Sequence, residues 1–157
     1  MFVIRKKFKF EMAHQLDEAY STACSEQIHG HSYICEVFFK SDKLDGTGMV
    51  IDFTMIKDKI KAYIDSWDHC LVMPMTMPKE YTDCLQKYNR NFKRVPYNPT
   101  AENMARDMWE YIHSLIPTCF KVRLHETDTG YAEYIQDEKQ SSGPTRWGAA
   151  GPRDGGK

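Results

Sequence analysis

Near the N-terminus, Ile4, Phe8, Phe10 and Met12 share one parity, while Arg5, Lys7, Lys9 and Glu11 share the other. Period-two alternation of this kind predicts a strand with one buried face and one charged face. Carrying the parity past Met12 puts His14 on the apolar side. A polar loop is expected over residues 15–27, followed by a second strand over about residues 28–39, rich in Tyr, Ile, Val and Phe. The stretch Ser41 to Gly48 carries turn residues, and residues 49–53 lead into a helix. On that helix Ile56, Ile60, Ile64 and Trp67 recur at helical spacing, so one face packs inward.

Beyond Asp68-His69, the methionine- and proline-rich residues 71–78 read as a loop, with a short helix over about residues 79–88. Asn98-Pro99-Thr100 is a helix start with Thr100 as N-cap. The helix that follows shows Met104, Met108, Tyr111 or Ile112, and Leu115, and Pro117 closes it. Two strands, over residues 119–127 and 131–136, are joined by the hairpin turn Asp128-Thr129-Gly130. The order strand, strand, helices, strand, strand predicts an α+β domain over residues 1–136. It is expected to have an antiparallel four-stranded sheet with helices on one face. Residues 137–157 are polar and rich in Gly, Pro and Ser, and are expected to form a disordered tail.

Charge and composition narrow the function classes. The 157 residues carry a formal net charge of -1, which argues against a broad nucleic-acid or membrane surface while leaving room for a small basic pocket. Residues 1–10 lack the apolar core of a signal peptide, and no run approaches the ~20 apolar residues of a membrane span. Five cysteines, scattered and without a C-x-x-C pair, argue against a disulfide framework and for a reducing cytoplasm.

The chemistry concentrates at His29-Gly30-His31. Two residues apart on a strand, side chains share a face at a spacing of about 6.5–7 Å, so both imidazoles can reach one ion. Gly30 lets a neighbouring backbone come close. His14, ending the adjacent strand, offers a third nitrogen. Three histidines with one open position suit a catalytic zinc site better than a closed structural one. The plainer alternative is three unrelated, half-buried histidines. Cys24, in the loop before this strand, is a potential base if the site lowers its pKa, or simply a small inert residue. Asp68-His69 can form a proton relay, though sequence neighbours need not touch. Val122, Leu124 and Glu126 share a face, and a carboxylate on an apolar face is costly unless it binds something. His125 is expected to be solvated beside Lys121 and Arg123, and His113 to lie on the surface.

Together these pieces resemble one family. Phe10-Glu11-Met12-Ala13-His14, Cys24 before Ile28-His29-Gly30-His31-Ser32-Tyr33, Val50-Ile51-Asp52-Phe53, Asp68-His69, Asn98-Pro99-Thr100-Ala101-Glu102-Asn103 and Glu126-Thr127 occur in the order seen in the 6-pyruvoyl-tetrahydropterin synthase / 6-carboxytetrahydropterin synthase family. The resemblance spans the N-terminus to about residue 136. It implies a tunnelling fold (T-fold), a homohexamer built as a dimer of trimers, and active sites at subunit interfaces. It also implies zinc on His14, His29 and His31, Cys24 as base, and Asp68 with His69 as the proton relay. Glu126 would anchor the pterin of 7,8-dihydroneopterin triphosphate, with Thr100 and Thr127 beside it.

One departure bears on the product. Carboxy-forming members typically place three residues between the cysteine and H-G-H, and pyruvoyl-forming members five. Here Ser25, Glu26, Gln27 and Ile28 intervene. A further branch uses a glutamate in E-x-x-H-G-H and makes 6-hydroxymethyl-7,8-dihydropterin, a folate precursor. Glu26 stands at that position, so one loop offers two bases. A non-catalytic pterin- or metal-binding protein is the reading from a different class.

Overall fold

The computed structural model describes residues 1–136, so the expected tail, 137–157, lies outside the described residues. The order is β1 (Phe2–His14), α1 (Thr22–Ser25), β2 (His29–Ser41), α2 (Phe53–Asp65), β3 (Cys70–Pro74), α3 (Lys79–Tyr88), β4 (Phe92–Val95), α4 (Ala101–Leu115), β5 (Cys119–His125) and β6 (Tyr131–Ile135). The sheet has six strands in the order β4-β3-β1-β2-β5-β6. β1, β2, β5 and β6 are the expected antiparallel set. β3 and β4 extend it in parallel, β3 against β1 and β4 against β3.

That extension corrects the expected four-stranded antiparallel sheet and the expected loop at 71–78. Every residue of β3 is buried, and a strand buried on both faces shows no alternation to read. With Pro74 at its end, the short apolar run looked like loop. The polar loop at 15–27 also contains one helical turn, α1.

Elsewhere the periodicities translate directly into packing. The helix-side face of β1 and β2 supplies Phe10, Met12, Tyr33, Cys35, Val37 and Phe39, all buried. Above them lie Ile56, Ile60 and Ile64 of α2, and Met104, Ala105, Met108, Trp109 and Ile112 of α4. Each fully buried Ile or Met side chain contributes roughly 1.5–3 kcal/mol by leaving water. Ile112 is inside and Tyr111 is exposed, which resolves the choice left open on that helix. Asp52 caps α2 by accepting from the Thr54 amide at 2.6 Å. Thr100 caps α4, its Oγ1 accepting from the Asn103 amide at 3.4 Å.

The opposite face of the sheet is charged, and its centre is Glu36. Buried on β2, Glu36 lies across from Lys7 on β1 and Arg123 on β5. Its carboxylate accepts from Arg5 at 2.6 Å and meets His125 Nε2 at 3.1 Å. His125 is therefore half-buried and paired, not simply solvated. His113 is likewise tucked in, stacked on Trp109 with Nδ1 2.8 Å from the Cys119 carbonyl. Burial alone would raise the Glu36 carboxyl, but His125, Arg5 and Lys7 outweigh it and hold it below its usual 4.5. A depressed carboxyl contributes stability that is fully present above 4.5 and lost as pH falls through the lowered value. We therefore expect Glu36→Gln to cost about 2 kcal/mol at pH 7. Thermal melts between pH 6 and 3 should also lose less Tm on acidification in the variant than in the parent.

Candidate active site

The antiparallel register places His14 directly opposite His29, and Met12 opposite His31. Alternation along β2 keeps His29, His31 and Tyr33 on one face. A Cβ at Gly30 would come within 3.2 Å of the Met12 carbonyl, so glycine there lets the two strands close without a shift. The three rings meet with centroids 4.5, 5.4 and 5.1 Å apart (His14–His29, His14–His31 and His29–His31). One ring nitrogen from each lies within 4.8 Å of the others.

Backbone carbonyls set the tautomers. His14 Nδ1 lies 2.8 Å from the Pro99 carbonyl and His29 Nδ1 3.2 Å from that of Gln27. Since a carbonyl only accepts, each Nδ1 carries the proton and each Nε2 presents a lone pair. The two Nε2 atoms are 3.0 Å apart. Two lone pairs facing at that distance repel unless a cation lies between them, so the donor set fits a metal ion. Burial, followed by mutual repulsion among the histidines, lowers the His14 pKa despite the Pro99 contact and Glu126. Burial likewise lowers that of His31. Both rings are thus held in the neutral, ligating form. Three imidazoles suit zinc and several other transition ions.

A cavity of about 310 Å³ opens on the triad, and Cys24, Thr100 and Glu126 line it too. Glu126 answers the puzzle of an acid on an apolar face. Its Oε1 is 3.5 Å from His14 Nε2 and 3.8 Å from His31 Nε2, and it accepts from the Tyr33 hydroxyl at 3.1 Å. Burial pushes the Tyr33 hydroxyl far above its usual range, so it remains a donor. Tyr33 was absent from the predicted site, although its parity with His29 and His31 would have found it. The Pro99 carbonyl could not have been found from sequence, because only the fold brings it to His14.

The remaining predicted residues lie elsewhere. Glu26 is exposed at the end of α1, its amide donating to Thr22, and it does not line the cavity. Thr127 is exposed in the β5–β6 turn, where its Oγ1 accepts from the Gly130 amide at 3.0 Å. Asp68 and His69 do touch, with His69 Nδ1 3.1 Å from Asp68 Oδ2. The Glu11 amide donates to Asp68 Oδ1 at 2.8 Å and, as the largest cause, lowers its pKa. His69 has φ 53°, a left-handed conformation unusual for a non-glycine residue and a form of strain that clusters at functional sites. Its side chain is 79% exposed. It faces a second cavity of about 820 Å³, which His31 also borders but Cys24 does not. Within one chain, then, His69 and Cys24 line different cavities, both of them bordered by His31.

Residues 3–137 match the family described as 6-pyruvoyl tetrahydropterin synthase. The chain belongs to this family. It is thus an enzyme of the tetrahydropterin-synthase type. The 6-carboxy-5,6,7,8-tetrahydropterin synthase of Haemophilus influenzae is 36% identical over 141 residues, covering 85% of this chain and 99% of that protein. The enzyme of the same name from Helicobacter pylori strain J99 is 29% identical over 147 residues, covering 86% and 74%. The solved structure of 6-pyruvoyl tetrahydropterin synthase from Caenorhabditis elegans shares the fold. It superposes with a TM-score of 0.63 at 23% identity, covering 87% of this chain and 96% of that one. Among the described residues no helix is long and apolar enough to cross a membrane.

Proposed function

We propose that this family member is a zinc-dependent lyase acting on 7,8-dihydroneopterin triphosphate. It would form 6-carboxy-5,6,7,8-tetrahydropterin on the queuosine route, with loss of triphosphate and acetaldehyde. The observation that carries the reading is that Cys24 lines the same cavity as the three converging histidines and Glu126, while Glu26 stands outside it. The names of the H. influenzae and H. pylori relatives point to the same product.

His14, His29 and His31 would hold the metal. Held by these residues, zinc would supply Lewis acidity, which would acidify protons on the substrate's side chain. Cys24 is positioned to take such a proton. Glu126, its carboxylate oriented by Tyr33, accepts N–H hydrogen bonds from the pterin ring. Asp68 orients His69 through Nδ1, leaving Nε2 free to move a proton. Because His69 and Cys24 line different cavities of one chain, we infer that the pair serves the Cys24 cavity of a neighbouring copy in a homohexamer. All five cysteines are free, which suits a reducing cytoplasm.

A second reading rests on the E-x-x-H-G-H spacing of Glu26: formation of 6-hydroxymethyl-7,8-dihydropterin. Incubating the zinc-loaded protein with 7,8-dihydroneopterin triphosphate and identifying the product by mass spectrometry separates them. The carboxy product is expected. The hydroxymethyl or pyruvoyl product alone would overturn the assignment, and tight pterin binding without turnover would leave a binding protein.

A further inference from the structure

Cys24 sits in a short turn closed by the Cys24 and Ser25 amides on the Ser21 carbonyl and the Glu26 amide on that of Thr22. α1 is a four-residue turn whose N-cap, Ser21, makes no side-chain capping bond. From outside that turn, the Leu16 amide donates to the Cys24 carbonyl at 3.0 Å, and Gln15 holds the carbonyl that follows. Gln15 is buried, the residue directly after the ligand His14, and its amide continues the sheet by donating to the Val72 carbonyl at 3.3 Å. Its side-chain Nε2 donates to the Ser25 carbonyl, one residue past Cys24, at 2.9 Å. Its Oε1 accepts from the Tyr81 hydroxyl at 2.8 Å. The polarity of this chain is fixed chemically: the Ser25 carbonyl can only accept, so the amide nitrogen faces it and the phenol must donate to the oxygen.

Tyr81 comes from α3, in the segment between β3 and β4 to which the mechanism assigns no role. Beside it on the same helix Thr82 is fully buried, so this side of α3 faces the body of the protein.

We propose that Tyr81 and Gln15 are positioning residues, a brace from α3 that sets the Cys24 thiol against the histidine triad. The brace rests on the role of Cys24 given above, and it acts through geometry alone. Removing the phenol hydroxyl leaves the Gln15 oxygen unpaired in a buried setting, frees the amide to rotate, and loosens the Ser25 carbonyl. The base then samples unproductive positions, which lowers kcat, while the triad and the pterin anchor are untouched. One buried hydrogen bond is worth about threefold to tenfold in such a balance.

The test compares the zinc-loaded parent, Tyr81→Phe, Gln15→Ala and the double variant. It measures zinc content, kcat and KM on 7,8-dihydroneopterin triphosphate, and amide hydrogen exchange over residues 21–26. In Tyr81→Phe we expect kcat to fall about threefold to tenfold, with KM changed less than about twofold and zinc content unchanged. Exchange of the loop amides should quicken by a similar factor. In the Gln15→Ala background, adding Tyr81→Phe should cost nothing more, because the tyrosine acts through the glutamine. Unchanged exchange and kcat in Tyr81→Phe, or full additivity in the double variant, would overturn the brace. Should Gln15→Ala fail to fold, the Tyr81→Phe measurements decide alone. If the parent does not turn over the pterin, the proposed function falls, while the exchange data still decide the brace.

Discussion

His31→Ala is expected to lose both the bound zinc and essentially all turnover, at least about a thousandfold, which corresponds to ~4 kcal/mol of transition-state stabilisation. The fold should survive. His31 is half-exposed at the mouth of the triad and outside the main core cluster, so its removal opens no cavity beneath the helices. His14 is the contrasting case. It is buried and bonded to the Pro99 carbonyl, so truncating it unties β1 from the entry to α4, and lost activity there would be hard to separate from lost stability. Metal analysis, far-ultraviolet circular dichroism and a turnover assay on the same His31→Ala preparation check the prediction. Retained zinc with lost activity would move His31 from ligand to some other role.

Cys24→Ala is expected to lower kcat by about two to four orders of magnitude, the usual range for removing a positioned acid–base group, with zinc content unchanged. Glu26→Ala should change it less than about threefold. The asymmetry follows from placement. Cys24 lines the triad cavity, whereas Glu26 ends α1 in solvent. The two substitutions also separate the products: a glutamate-based reaction would show the opposite ranking, with the hydroxymethyl product persisting in Cys24→Ala and vanishing in Glu26→Ala.

Much of this was legible in the sequence because it depends on periodicity. The parity that starts at Ile4 does carry His14 to the buried face, and the H-x-H spacing does aim two rings at it. The Thr100 cap followed from side-chain chemistry at a helix start. What escaped was whatever the third dimension supplies. β3 hid because a parallel strand buried on both sides carries no alternation. The pairing of His125 and Arg123 with Glu36 needed the β2–β5 register, without which His125 reads as solvated. That Cys24 and His69 line different cavities could not be read at all, since motif order does not say where each loop comes to lie. Gln15 passed unnoticed as one polar residue in a polar loop. Its buried amide matters only because a tyrosine sixty-six positions later meets it.

In the function proposed here the three histidines form a zinc centre at which a pterin is processed. This is tested most directly by stripping the protein of metal and following product formation from 7,8-dihydroneopterin triphosphate as zinc is returned. Product identity and bound metal are measured at each point. No turnover is expected in the stripped protein, with 6-carboxy-5,6,7,8-tetrahydropterin formation rising in proportion to zinc and saturating at about one ion per chain. Undiminished turnover by the metal-free protein, or full zinc loading without any conversion of the pterin, would contradict it.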